Sequence, residues 1–289
     1  MAEPGPREAL GGAELVVLAD ESEVAREAAR LTIAALAAAI TERGAAHLAL
    51  TGGSSAVPLY RELASPARRG ELDWSRVHLW WGDDRFVPID HPASNAGLAY
   101  RLLLAMPAFA GESGSGAQGV EVEVGAVPGL PVQVEHVHPV EVEEALSDDA
   151  PAELAAQRYE VELRRMVPLV HGGVPRFDVL LTGLGPDGHL MSIFPGSPAL
   201  APDAPIAMAV PAPEHVEPHL PRVTLSARVL PAAGLVLLMA TGAGKAEIVA
   251  RVLGPERDPL RWPAQAALLP NATWLLDRAA AAALSSIPG

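Results

Sequence analysis

Residues 177–189 read FDVLLTGLGPDGH. A short apolar run stops at a turn holding Gly183, Gly185, Pro186 and Gly188, and the turn ends on Asp187 and His189. The run is too short for a helix of ordinary length and is bounded by turn formers, which predicts a buried strand over Phe177 to Thr182. Three other stretches repeat this form: HLALTGGSS at 47–55, VHLWWGDDR at 77–85 and LVLLMATGAGK at 235–245. In each, an apolar strand is expected to run straight into a glycine turn carrying polar or charged residues. Parallel strands point the same way, so such turns gather along one edge, where open α/β sheets place their ligand crevice. The four turns are therefore candidates for one site.

Working outward, strands are expected at Leu15 to Ala19, His47 to Thr51, Val77 to Trp81, Val132 to Val137, Ile206 to Val210, Val223 to Ser226, Leu235 to Ala240 and Thr273 to Leu276. Helical stretches alternate with them, from about Ser22 to Arg43, Pro58 to Ala64, Asn95 to Leu104, Glu153 to Val167 and Lys245 to Leu253. Asp20 and Glu23 have the spacing of a capping box ahead of the first helix, and Gly44 follows its end. The alternation predicts an α/β fold with a mostly parallel, Rossmann-like open sheet and helices on both faces. No repeat or interdomain linker is visible, so residues 1–289 are expected to form one domain. Residues 107–150 are rich in Gly, Ser, Val and Glu with little helical period, and are expected to be a mobile, acidic surface insertion.

The 289 residues carry a net charge of −14 and are 49% hydrophobic. An acidic chain lacks the basic surface that general nucleic-acid binding needs. The N-terminus has no basic stretch leading into an apolar run, and apolar segments stop short of about 18 uninterrupted residues. A membrane partner and secretion are not expected. The absence of cysteine removes disulfides, thiolate nucleophiles and thiolate metal sites and fits a reducing cytoplasm. Monomer and homodimer are both compatible with the sequence. Of 21 basic residues only Lys245 is a lysine, and it stands in the fourth of the glycine turns.

Glycine allows backbone N–H groups to converge on an anion, and phosphate is the natural ligand of such a turn. Gly52, Gly53 and Ser54 have the arrangement of an anion nest ahead of a helix, with Lys245 and Arg85 adding charge. Other motifs fail. Gly183 to Gly188 match GxGxxG, but Pro195 and Pro198 follow where a long helix should begin, so nicotinamide binding is not expected. The GAGK segment lacks the earlier glycine and following hydroxyl of a Walker A loop, Met239 and Ala246 standing there. His136 with His138, and His215 with His219, lack a clear third ligand and read as exposed loop histidines. No metal and no cofactor is expected. Without cysteine or a GxSxG elbow, a histidine acting on water is the remaining chemistry. His189 can serve as general base, and Asp187 can orient that ring or help bind substrate.

The stretches TGGSSAVPLYREL at 51–63, DWSRVHLWWGDDRFVPIDHPASN at 73–95, TGLGPDGHLMSIFPG at 182–196, PRVTLS at 221–226 and TGAGKAEI at 241–248 together resemble the 6-phosphogluconolactonase family. The resemblance runs from about residue 15 to 280, with 107–150 set aside. It implies hydrolysis of 6-phospho-D-glucono-1,5-lactone to 6-phosphogluconate in the oxidative pentose phosphate pathway, without metal or cofactor. Carried over by position, it implies His189 as base, Asp83 and Arg85 in the site, and Gly53, Ser54, Arg222 and Lys245 at the substrate or its phosphate. Asp84 stands where the family usually shows Glu, and Met191 where it usually shows Ala. The alternatives are a glucosamine-6-phosphate deaminase-like isomerase and a non-enzymatic sugar-phosphate sensor. The deaminase pattern has Tyr at Arg85 and a catalytic Glu at Phe194, and a phenylalanine transfers no proton. A sensor would usually bring a DNA-binding region, which is not visible.

Overall fold

The computed structural model describes residues 7–104, 129–148 and 151–284. Its strands are β1 (Arg7–Leu10), β2 (Ala13–Leu18), β3 (Ala46–Leu50), β4 (Val77–Trp81), β5 (Asp83–Arg85), β6 (Leu169–Val170), β7 (Val174–Pro175), β8 (Val179–Gly183), β9 (Ala207–Val210), β10 (Arg222–Leu225), β11 (Leu235–Ala240) and β12 (Ala272–Asp277). The helices are α1 (Glu21–Arg43), α2 (Ala56–Ala64), α3 (Asn95–Leu102), α4 (Val142–Ser147), α5 (Ala152–Met166), α6 (Val229–Ala232) and α7 (Ala246–Leu253). The main sheet has the order β1-β2-β12-β11-β8-β3-β4. All its pairings are parallel except that of β1 with β2. A smaller antiparallel sheet has the order β5-β10-β9.

Strands buried on both faces read as continuous apolar runs, and β11 shows why. Leu237 and Met239 pack with α1, α2 and α3, while Val236 and Leu238 pack with α5, α6 and α7. The period of two thus splits the core into two layers, one on each side of the sheet. Helix α1 opens with the Asp20 carboxylate accepting the Glu23 N–H at 2.9 Å. It closes at Gly44, whose φ of 82° supplies the left-handed turn. Among the described residues, no helix is long and apolar enough to cross a membrane.

The four strands that end in glycine turns, β11, β8, β3 and β4, are consecutive in the sheet, as the common-edge expectation requires. One detail differs. After β4 the chain passes Gly82 directly into β5, which pairs with β10, so GDDR is a strand switch between sheets rather than a simple turn.

The expected strand over Val132 to Val137 is not formed. A 3-10 turn spans Val134–His136, and only Val137 makes a bridge, to Leu79 on the outer edge of β4. Pro131 and Pro139 bracket the segment, and proline cannot donate to a ladder. The expectation of a mobile insertion over 107–150 is also corrected in part. Residues 107–128 and 149–150 lie outside the described residues, but 129–148 are packed: Leu130, Val140, Val142 and Ala145 are buried. This segment covers the β4 edge, which would otherwise expose unpaired backbone groups.

At the N-terminal ends of β3 and β4, opposite the turns, four histidines meet. The His47 and His78 rings stack at 4.9 Å, and His78 Nδ1 lies 3.0 Å from His138 Nε2. His138 stacks on Trp80 at 4.0 Å and contacts Glu162, and the His136 ring lies 3.9 Å from that of His78. His138, expected to be an exposed loop residue, is therefore buried. Burial, reinforced by neighbouring imidazoles, pushes His47 down to about 3 and His78 down to about 4.

Candidate active site

A cavity of about 310 Å³ opens at the C-terminal edge of β3, β8 and β11. Every sequence-predicted site residue except Asp187 lines it: Gly52, Gly53, Ser54, Asp83, Arg85, His189, Arg222 and Lys245. Asp187 sits just behind, bound to His189.

The turn after β8 fixes the histidine. The Gly185 N–H donates to the His189 carbonyl at 2.8 Å, and a Cβ on Gly185 would meet His189 Nδ1 at 2.0 Å. Glycine is thus required by the ring's approach to the backbone. His189 Nδ1 lies 2.5 Å from Asp187 Oδ1, which also accepts the His189 backbone N–H at 3.1 Å. An ionised carboxylate only accepts, so Nδ1 carries the hydrogen, which leaves Nε2 as the nitrogen available for proton transfer. Burial opposes charge on Asp187, but hydrogen bonds from His189 and His215 outweigh it and hold the carboxyl well below the usual range. The pair is therefore an imidazole oriented by a carboxylate.

Strand β5 sorts three successive charges by alternation. Asp83 and Arg85 line the cavity, whereas Asp84 points away and accepts the N–H groups of Asn95 at 2.7 Å and Ala96 at 2.9 Å, at the start of α3. The middle acid of the motif is an anchor for a helix. Asp83 is buried, accepting from Ser192 Oγ at 2.5 Å, while its carbonyl accepts from Asn95 Nδ2 at 2.9 Å.

Arg85 and Arg222 are directly opposed across the β5–β10 pair, an arrangement in which like charges repel. Arg222 is 2% exposed. Burial, and then Arg85 beside it, lower its guanidinium to about 10, so it remains a cation at neutral pH. Arg85 Nη1 donates to the Ala93 carbonyl at 2.6 Å and Arg222 Nη2 to that of Pro218 at 2.9 Å. The Nε of each is buried without a partner among the described residues. Two opposed, incompletely satisfied guanidinium groups make a site short of negative charge. Lys245 Nζ donates to the Leu184 carbonyl at 2.7 Å; burial lowers its pKa while Asp187 acts in the other direction. Gly53, at φ 81°, turns the chain ahead of α2, and a Cβ on Gly52 would meet Asn95 Oδ1 at 1.7 Å. The cavity thus joins an anion-accepting wall to a polarised imidazole.

Several residues in or beside the cavity carry features that the sequence reading did not assign. Asn95 and Ser192 act through contacts between segments distant in the chain, which no local pattern reports. Met191 has φ 51°, a conformation unusual for a side chain of this size. His215 was expected to be an exposed loop residue; it is 55% exposed, yet it lines the cavity and its Nε2 lies 2.8 Å from Asp187 Oδ2. Among the described residues no group of three His, Cys, Asp or Glu is placed to hold a metal ion.

Residues 19–276 match the family model described as glucosamine-6-phosphate isomerases/6-phosphogluconolactonase. The chain belongs to this family. It is 34% identical over 277 residues to a 6-phosphogluconolactonase of Streptomyces coelicolor, covering 94% of each chain. It is 33% identical over 273 residues to one of Mycobacterium tuberculosis, covering 93% of this chain and 98% of that one. Its fold superposes on a 6-phosphogluconolactonase structure from Trypanosoma brucei with a TM-score of 0.75 and 25% identity, covering 97% of this chain and 100% of the other. The family match spans all four glycine turns and both cavity walls.

Proposed function

We propose that this chain hydrolyses 6-phospho-D-glucono-1,5-lactone to 6-phospho-D-gluconate, with His189 as general base. The observation that carries this reading is the His189–Asp187 pair, set in one cavity with Arg85, Arg222 and Lys245. In the reaction, His189 Nε2 takes a proton from water as the water oxygen bonds to the lactone carbonyl carbon. The resulting oxyanion collapses, the bond from that carbon to the ring oxygen breaks, and His189 returns the proton to the departing hydroxyl. The new carboxylic acid loses its own proton to solvent. Asp187 stabilises the transient imidazolium, as a fixed carboxylate does without itself being protonated.

The substrate's phosphate matches the positive wall. Arg222, Lys245 and the Gly52–Gly53–Ser54 turn are assigned to that group, and Arg85 adds charge between wall and base. Deamination is disfavoured by Phe194, whose ring lies 4.7 Å from that of His189 and has no proton to transfer. The net charge of −14 argues against general nucleic-acid binding, so a phosphorylated sugar lactone is held by the local cations Arg85, Arg222 and Lys245 that line the cavity. The absence of cysteine supports a cytoplasmic setting.

The test is acid release from freshly generated 6-phosphogluconolactone, with a chelator present and spontaneous hydrolysis subtracted. Turnover is expected, with kcat/KM for unphosphorylated gluconolactone lower by at least about 10²-fold, the scale of losing a charge-paired contact. Equal rates on both lactones would overturn the phosphate assignment, and no rate above background would overturn the activity.

A further inference from the structure

Asp187 has two oxygens, and the reaction above uses one. Oδ1 holds His189, while Oδ2 is 2.8 Å from His215 Nε2. Because the carboxylate only accepts, Nε2 of His215 carries a hydrogen, and two imidazoles are oriented by a single acid. We propose that His215 is a positioning residue for the hydrolysis: it pins the second oxygen of Asp187, so that the first keeps the His189 ring aimed at the attacking water. The proposal rests on the lactonase reading.

Three features support it. The terminal torsion of an aspartate is broad and roughly two-fold, so a carboxylate held at one oxygen can rock, whereas one held at both cannot. Phe194 closes the arrangement, its ring 4.7 Å from His189 and 5.9 Å, edge-on, from His215. Those contacts give both imidazoles an apolar neighbour. The loop bearing His215 is also tethered, because Arg222 Nη2 donates to the Pro218 carbonyl and His219 Nδ1 lies 2.6 Å from the Pro213 carbonyl. His215 is therefore carried by a segment fastened to the anion wall, which couples the two halves of the site.

The other charges around this group are Lys245 and Arg222, which interact with Asp187, and Glu217, paired with His219 on the same loop.

The experiment compares wild type, His215→Ala and His215→Gln, the last retaining an N–H donor, on 6-phosphogluconolactone from about pH 5 to 8. In His215→Ala kcat should fall about 3- to 10-fold, the worth of one ordinary hydrogen bond, with KM within about twofold. His215→Gln should restore most of kcat. In the ligand-free protein, the downfield Nδ1–H proton of His189 should move by NMR in His215→Ala and return toward its original position in His215→Gln. A wild type that leaves the lactone intact overturns the activity and this role together. A wild type that hydrolyses it, with His215→Ala unchanged in kcat, altered only in KM, or not rescued by Gln, overturns the role of His215 alone.

Discussion

Replacing Gly185 by alanine removes no functional group, yet it should abolish most of the catalysis. The added Cβ would lie 2.0 Å from His189 Nδ1 and 2.1 Å from Cε1. Reaching an ordinary contact of about 3.4 Å requires the ring to retreat by about 1.4 Å. Gly185 is not among the positive-φ glycines, so alanine fits its backbone, and the clash is relieved by swinging the imidazole away. That movement pulls Nδ1 from Asp187 Oδ1, now 2.5 Å away, and carries Nε2 out of line with the attacked carbonyl. A misplacement of about 1 Å costs roughly 10²-fold, and loss of the aspartate partner adds to it, so kcat should fall by about 10²- to 10³-fold. Stability should change little, because the reduced entropy of the unfolded chain, worth about 0.4–1 kcal/mol, offsets part of the local strain. The assay is initial-rate acid release above the spontaneous background, alongside a thermal melt. A folded Gly185→Ala protein retaining kcat within about threefold would show that His189, as placed here, is not the base.

His189→Ala should lower kcat by roughly 10²- to 10⁴-fold with a smaller change in KM, whereas Lys245→Ala should act mainly through KM, since phosphate is held in ground and transition states alike. Steady-state kinetics on melt-checked variants decide it, and near-normal kcat in His189→Ala would sink the mechanism. The histidine cluster at the far edge predicts a stability profile. His47 and His78, lowered to about 3 and 4, start from about 6.5 in an unfolded chain, so the unfolded state takes up protons first as pH falls. Their contribution is complete above about pH 6.5 and is lost as pH drops toward 4 and then 3. Tm should therefore be lower at pH 5 than at pH 7, with a shallower slope in His47→Gln; an unchanged slope would remove these imidazoles as the cause.

The sheet was legible because β3, β4, β8 and β11 are short, largely apolar runs leading into glycine, a pattern that burial on both faces imposes. The reading did not extend to β5 or to the paired β6 and β7, which are two or three residues long and exist only through their partners. Residues 129–148 were misread because their burial depends on covering β4, a relation between segments with no local period. Within the site, His189, Asp187, Arg85 and Lys245 were visible from the turns themselves. Arg222 came through family resemblance, since nothing in PRVTLS marks its opposition to Arg85. Asn95, Ser192 and His215 depend on contacts between distant segments and were not visible.

The direct opposition of Arg85 and Arg222 makes the anion wall sensitive to length as well as to chemistry. Side chains alternate along a strand, so adding or removing one residue within β10 would turn Arg222 toward the opposite face and bring Val223 or Pro221 to its place. The segment from 211 to 221 carries no such ruler, being joined to the site chiefly through single contacts at His215 and Pro218. Natural length variation in this fold should therefore accumulate ahead of Pro221 and stop at Arg222. Within that loop, a variant of altered length could keep the wall intact while losing the second hold on Asp187.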